Sequence, residues 1–184
     1  MAVGEQPLPP LHPVAGVSLA TVKAGVRKPD EPDLVLMALA EGSEVAAVFT
    51  QNRFRAAPVL VAESHLLTTA ARYLLINTGN ANAGTGIDGE RAALQNCTTL
   101  AELAACSPQA VIPYSTGVIG ERLPADRIDA ALPEALAALA EDAWAAAADG
   151  IRTTDTRAKG DSVQLALAEG MVTLTGIAKG SGMI

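Results

Sequence analysis

The sequence predicts a single α+β domain, and three features point to it. Five short β-like runs separated by turn residues come before any long helical pattern. Two helical stretches then flank one more strand, and a hairpin pattern closes the chain. Strands gathered ahead of helices suggest a largely antiparallel sheet rather than alternating strand–helix units. A length of 184 residues suits one domain with its own core and is short for two.

Residues 1–13 carry four prolines and read as an extended lead-in, leaving 14–184 as the domain. The five β-like runs are Val14 to Val26, Asp33 to Ala40, Glu44 to Thr50, Pro58 to Ala62 and Arg72 to Asn77. Lys28-Pro29-Asp30 and Glu41-Gly42-Ser43 supply turns between them. The first long helix is expected over Asp88 to Cys106, where Ala93, Cys97, Leu100 and Ala104 draw one apolar stripe. A short strand follows at Ala110 to Tyr114. A second helical region spans Ala125 to Asp149, with Pro133 starting a fresh helix and Trp144 as a core anchor. Ser162 to Ala168 and Met171 to Ile177 alternate around Glu169-Gly170, a hairpin signal.

Composition narrows the function. Apolar residues make up 49% and aromatic ones only 3%, so the core must be built from Ala, Val, Leu and Ile at close approach. A net charge of −7 argues against nucleic acid, whose binding needs a basic face. Cys97 and Cys106 stand nine apart without CxxC spacing, and His12 and His65 are far from them, so a metal site is not expected. Two reduced cysteines of an intracellular protein are the plainer reading. Residues 1–10 lack the apolar run of a leader, and no stretch reaches membrane-span length, so the expected location is cytoplasmic.

Four segments are too polar and glycine-rich for simple connectors. Asn77 to Gly86 (NTGNANAGTG) could point backbone N–H groups at an anion or substrate, or could be a tight loop held by its own Asn side chains. Both readings stand at this level. Tyr114 to Gly120 (YSTGVIG) places hydroxyls beside a glycine, which suits an oxyanion hole; a turn that caps a helix is the commoner use. No GxSxG elbow and no suitably placed histidine support a serine-hydrolase triad. Gly150 to Lys159 (GIRTTDTRAK) packs three threonines, an aspartate and three cations into residues 152–159, as ligand contacts or as a cap with solvated charges. Gly176 to Ile184 (GIAKGSGMI) runs a lysine out of an apolar strand into Gly-Ser-Gly and stops on Met-Ile, an end that reads as cut from something longer.

In this order and spacing, these segments resemble the ornithine acetyltransferase family, the glutamate N-acetyltransferases of ArgJ type. Ala47 to Phe54 (AVFTQNRF) with Ala56-Ala57-Pro58-Val59 looks like that family's early signature, and the similarity covers roughly residues 14–184. The resemblance implies a layered αββα-type sheet-and-helix fold of the DmpA/ArgJ-like kind. It also implies that the chain is the α subunit of a precursor that cuts its own backbone before a threonine. Lys179 to Ile184 match the run leading to that cut, so the nucleophilic threonine would open a separate β subunit outside this numbering.

Carried over residue by residue, the resemblance implies that Thr116 and Gly117 form the oxyanion hole and that Thr153 and Lys179 contact substrate. Thr154 competes with Thr153, because the register within the pair is open. The implied reaction is ping-pong transfer of acetyl from N-acetylornithine to glutamate, with acetyl-CoA as a further donor left open. No metal or organic cofactor is implied, and the implied assembly with the β subunit is α2β2 or larger. An N-terminal threonine uses its own α-amine as base, which agrees with the missing histidine. Two rivals remain: a related self-processing aminopeptidase, and a non-catalytic scaffold subunit whose glycine loops are only turns.

Overall fold

The computed structural model describes residues 7–26 and 30–181. Lys28, Pro29, Met183 and Ile184, named above, lie outside the described residues. A four-stranded sheet runs in chain order: β1 (Val17–Val22), β2 (Leu34–Leu39), β3 (Tyr73–Asn80) and β4 (Val111–Val118). The first two pairings are antiparallel and β3–β4 is parallel. A parallel step needs a crossover, and the long helix α2 (Gly86–Leu103) supplies it.

β2 shows why the sheet is a middle layer. Leu34, Val35 and Leu36 are all fully buried, so both faces of this strand are covered. Leu34 and Leu36 join Ala20, Val22, Leu75 and Val111 beneath Cys97 and Leu100 of α2 and Ile128 and Leu132 of α3 (Ala125–Ala137). Val35 and Leu19 face the other way, onto Trp144 and Ala147 of α4 (Trp144–Gly150) and Ile177 of the last strand. Trp144 is the core anchor expected. Buried alanines at Ala93, Ala101, Ala131, Ala135 and Ala147 let the layers close tightly without aromatic filler.

The closing hairpin is a separate two-stranded ribbon, β5 (Lys159–Leu167) and β6 (Gly170–Ala178), paired from Lys159↔Ala178 to Leu167↔Gly170. Its turn is therefore Ala168-Glu169, one residue earlier than expected. The lead-in docks on this ribbon: Ser162 Oγ accepts from the His12 N–H at 3.0 Å, and Thr175 Oγ1 donates to the His12 carbonyl at 2.7 Å.

Several sequence-based expectations need correction. Pro58 to Ala62 is no strand but part of helix α1 (Ala57–Leu66). Its buried residues Ala57, Pro58, Val61, Ala62 and His65 follow helical spacing, and Pro58 sits in the first turn, where its missing N–H costs nothing. Five residues were too few to tell the two periods apart. Glu44 to Thr50 forms no strand either: Val48 is 99% exposed, and only Val45 and Phe49 reach the core margin. Pro133 lies inside α3 rather than starting a helix. It is on the exposed side, where water can satisfy the carbonyl that a proline leaves unbonded. The sheet is largely antiparallel as expected, with β3–β4 as its one parallel pair among the described residues.

Gly150, the last residue of α4, faces β1 and β2. An added Cβ there would come within 2.6 Å of Thr21 Cγ2 and 2.7 Å of Val35 Cγ2, both on stiff β-branched side chains. Helix propensity favours alanine over glycine by up to about 1 kcal/mol, but overpacking costs about 1–3 kcal/mol. Gly150→Ala is therefore expected to lower stability in urea unfolding. A stabilised variant would show that the two strands give way at no cost.

Candidate active site

β3 and β4 each run further than the sequence suggested, and the extra residues are the polar ones. Thr78 lies opposite Thr116, and Gly79 opposite Gly117, at the ends of two neighbouring parallel strands. The C-terminal ends of parallel strands are where such sheets place ligands. Gly79 and Gly117 have φ of +97° and +139°, a region that favours glycine. A Cβ on Gly117 would sit 2.3 Å from the Gly79 carbonyl carbon, so only glycine fits there.

Beyond these strand ends opens a cleft of about 450 Å³. Thr78, Gly79, Thr116, Gly117 and Val118 form its floor. Arg152 to Thr154 and Lys179 with Ser181 form one wall, and Glu31 to Asp33 another. The Asp33 carboxylate ties the loop after β1, accepting the Ala24, Gly25 and Val26 N–H groups at 2.7, 3.2 and 2.6 Å.

The ammonium of Lys179 ties the floor to the wall. It donates to Thr116 Oγ1 at 2.7 Å and to Thr153 Oγ1 at 3.2 Å, and it has no carboxylate partner among the described residues. Thr116 and Gly117, Thr153 and Lys179, from three segments far apart in sequence, thus meet in one place. Of the Thr153–Thr154 pair, Thr153 touches Lys179, while Thr154 lines the cleft.

The asparagines of the Asn-rich segment act as a brace, while its Thr78 and Gly79 line the cleft. Asn77 Nδ2 donates to the Asn80 carbonyl and Asn77 Oδ1 accepts from Ser115 Oγ. Asn80 Nδ2 bonds the Glu121 and Arg122 carbonyls, and Asn82, fully buried, bonds the Gly89 carbonyl and Thr85. These amides lock β3, β4 and the start of α2 together instead of facing the cleft. Neither histidine lines the cleft: buried His65 has Nδ1 at 2.7 Å from the Val111 carbonyl, and His12 lies against the ribbon. Cys97 is on the buried face of α2 and burial pushes its thiol up to about 12, an inert core thiol. No cluster of three or more metal-ligating side chains occurs among the described residues.

One ion pair behind the wall was not singled out from sequence, although its aspartate belongs to the dense polar run. Asp155, with its side chain 1% exposed, accepts from Lys159 Nζ and from the Gly180 N–H at 2.7 Å. Lys159 Nζ also donates to the Gly180 carbonyl at 2.6 Å. Arg152 completes the turn, bonding Asp149 at 2.5 Å and the Asp155 carbonyl at 3.0 Å.

With this geometry in place, the relatives are informative. The ArgJ family model matches residues 18–184. The chain belongs to the ArgJ family. It is 55% identical over all 184 residues to the arginine biosynthesis bifunctional protein ArgJ of Pseudomonas syringae pv. tomato. To the protein of the same name from Pseudomonas fluorescens it is 54% identical, again over its full length. The aligned region is 45% of each relative, so this ArgJ-family chain spans less than half their length. Among solved structures it resembles the ArgJ bifunctional protein of Bacillus halodurans (TM-score 0.84, 32% identity, 93% of this chain and 90% of that one). It also resembles an ornithine acetyltransferase of Mycobacterium tuberculosis solved with ornithine (TM-score 0.83, 32% identity, 93% and 91%). The layered α+β fold expected for the family is the fold observed.

Burial of Asp155 would raise its pKa, but the Lys159 side chain and the Gly180 and Thr153 N–H groups outweigh that and carry it from 3.8 down to about 2. A group depressed in the folded state stabilises above its unfolded pKa, and that contribution is lost as pH falls through the folded value. The pair is therefore expected to contribute roughly 2 kcal/mol near neutrality, declining between about pH 4 and about pH 2. Urea unfolding of the protein and its Asp155→Asn variant across that range checks this. A stability gap that stays constant down to pH 2 would refute it.

Proposed function

We propose that this chain is the α part of an ornithine acetyltransferase, which moves acetyl from N-acetylornithine to glutamate through an acetyl-enzyme. The observation that carries the reading is the Lys179–Thr116 hydrogen bond beside Gly117. Lys179 occupies an acceptor lone pair of the Thr116 hydroxyl, leaving that hydroxyl's own proton to donate elsewhere. A hydroxyl polarised by an ammonium is a stronger donor, and with the Gly117 N–H it would stabilise the tetrahedral oxyanion that forms in each half-reaction. Thr153 and Lys179, with Thr154 on the same wall, would contact the amino-acid substrate. The relatives' names, arginine biosynthesis and ornithine acetyltransferase, support this substrate class. Acetyl-CoA as a second donor is a further part of this reading.

The cleft offers hydroxyls but no histidine to activate one, which fits a nucleophile brought by another polypeptide. We place it on a β subunit cut from the same precursor, starting with threonine and using its own amine as base. The exposed ribbon supports such a partner. Val163 opposes Leu174 and Leu165 opposes Val172 on one face, and these four with Leu167 are 38–56% exposed. A two-stranded ribbon with a bare apolar face is not a stable end state by itself. The partner that completes the site would cover it, in an α2β2 or larger assembly.

Two experiments test the reading. Intact-mass analysis of the full-length gene product after purification should show this chain together with a companion polypeptide that begins with threonine. A single uncut polypeptide that still transfers acetyl would exclude the separate β subunit. For the site, Thr116→Ala in the processed enzyme should lower kcat about 10²–10³-fold with KM little changed, because the lost bond tightens only as charge develops. Thr116→Ser should recover much of the rate. Normal turnover in Thr116→Ala would remove Thr116 from the oxyanion hole.

A further inference from the structure

We propose that Asp155 and Lys159 form a positioning pair that aims the Lys179 ammonium at Thr116, by gripping both the N–H and the C=O of Gly180. This rests on the reading above, in which Thr116 and Lys179 act on the acyl group.

Lys179 follows the last paired residue of β6: the ribbon's ladder ends at Lys159↔Ala178, and beyond it no sheet partner holds the chain. A lysine on a loose main chain is a poor device for placing a charge. Ordering its four-carbon stem costs conformational entropy, which its hydrogen bonds to two hydroxyls have to offset. Fixing the main chain on the far side of Lys179 lowers that cost. Asp155 Oδ1 does so by accepting the Gly180 N–H at 2.7 Å, and Lys159 Nζ does so by donating to the Gly180 carbonyl at 2.6 Å. Lys179 is thus held by backbone on both sides, by the Lys159↔Ala178 pairing before it and the Gly180 grip after it.

The same pair places the other partner of Lys179. Thr153 lies two residues before Asp155, and Arg152 ties that turn by donating to the Asp155 carbonyl. One buried carboxylate therefore registers the Thr153 turn against the Lys179 turn. It also settles the charge. Two ammonium groups flank Gly180, and Asp155 neutralises Lys159 through a direct ion pair. Arg152 on the same wall is paired with Asp149, whereas Lys179 faces the cleft with no carboxylate partner among the described residues.

A purely structural ion pair and a positioning pair make different predictions in a double-mutant cycle. In the processed enzyme, Asp155→Asn keeps the side-chain shape while removing the charge. It is expected to lower kcat at least about tenfold when Lys179 is present and less than about twofold in the Lys179→Met background. Equal fold-losses in both backgrounds, or an unchanged kcat with Lys179 present, would overturn the proposal. If Asp155→Asn does not accumulate as folded protein, Lys159→Met serves the same cycle, its side chain being 37% exposed. Amide hydrogen exchange supplies a readout independent of turnover. Residues 179–181 should exchange faster in either variant while α2 is unchanged, and identical exchange at 179–181 would also overturn it. Wild-type enzyme inactive on N-acetylornithine and glutamate would instead defeat the functional reading, leaving exchange to decide whether the pair holds Lys179.

Discussion

The contact on which the rest of the site depends is backbone against backbone, where Gly79 and Gly117 lie side by side at the ends of β3 and β4. With no Cβ on either, two parallel strands can carry their ladder past the point where side chains would push them apart. That extension delivers Thr78 and Thr116 to the cleft floor as strand residues rather than as loop residues. Strands are stiffer than loops, and an oxyanion donor is useful only when it is already in place before charge develops. The buried Asn77, Asn80 and Asn82 amides serve the same end. They satisfy the main chain where β3 gives way to α2, so that the floor does not need the cleft's contents to hold it.

The cleft wall is assembled differently. It comes from a turn and a strand end late in the chain, and its ordering relies on one buried ion pair with its hydrogen bonds to Gly180. Buried ion pairs are seldom strong sources of stability, because desolvation offsets most of the attraction. Asp155 is instead well suited to specifying geometry. Its carboxylate is charged, almost wholly removed from water and bonded through Oδ1 to both Lys159 and the Gly180 N–H, which favours one arrangement. Lys179 has no such carboxylate among the described residues, and its ammonium remains available to the cleft. Two lysines twenty residues apart thereby take opposite roles through the position of a single aspartate.

Tight alanine packing connects these parts. α4 closes on β1 and β2 through Ala147 and Gly150, and immediately beyond α4 begins the turn that carries Arg152, Thr153 and Asp155. The close approach of that helix sets the distance from wall to floor. The ribbon β5–β6 leaves this body with an apolar face uncovered, which matches a chain spanning less than half the length of its relatives.

The sequence by itself determined the class of fold and the segments that meet at the cleft. The apolar run of β2, the alternation of the closing hairpin, the apolar stripe of α2 and the order of the elements follow from local pattern, and local pattern survives folding. The segments that carry Thr116, Gly117, Thr153 and Lys179 stood out as unusually polar and glycine-rich, and the resemblance to the family picked these residues within them. Only the tertiary structure decided that α1 is a helix, since a five-residue apolar run fits both periods until its neighbours are known. It decided that β3 and β4 are parallel, because pairing direction depends on where the crossover helix packs. It also turned the amides of the Asn-rich loop inward. The link from Asp155 through Gly180 to Lys179 spans 25 residues and depends on where a ribbon ends. No local rule of sequence encodes a contact that exists only when two turns are packed against each other.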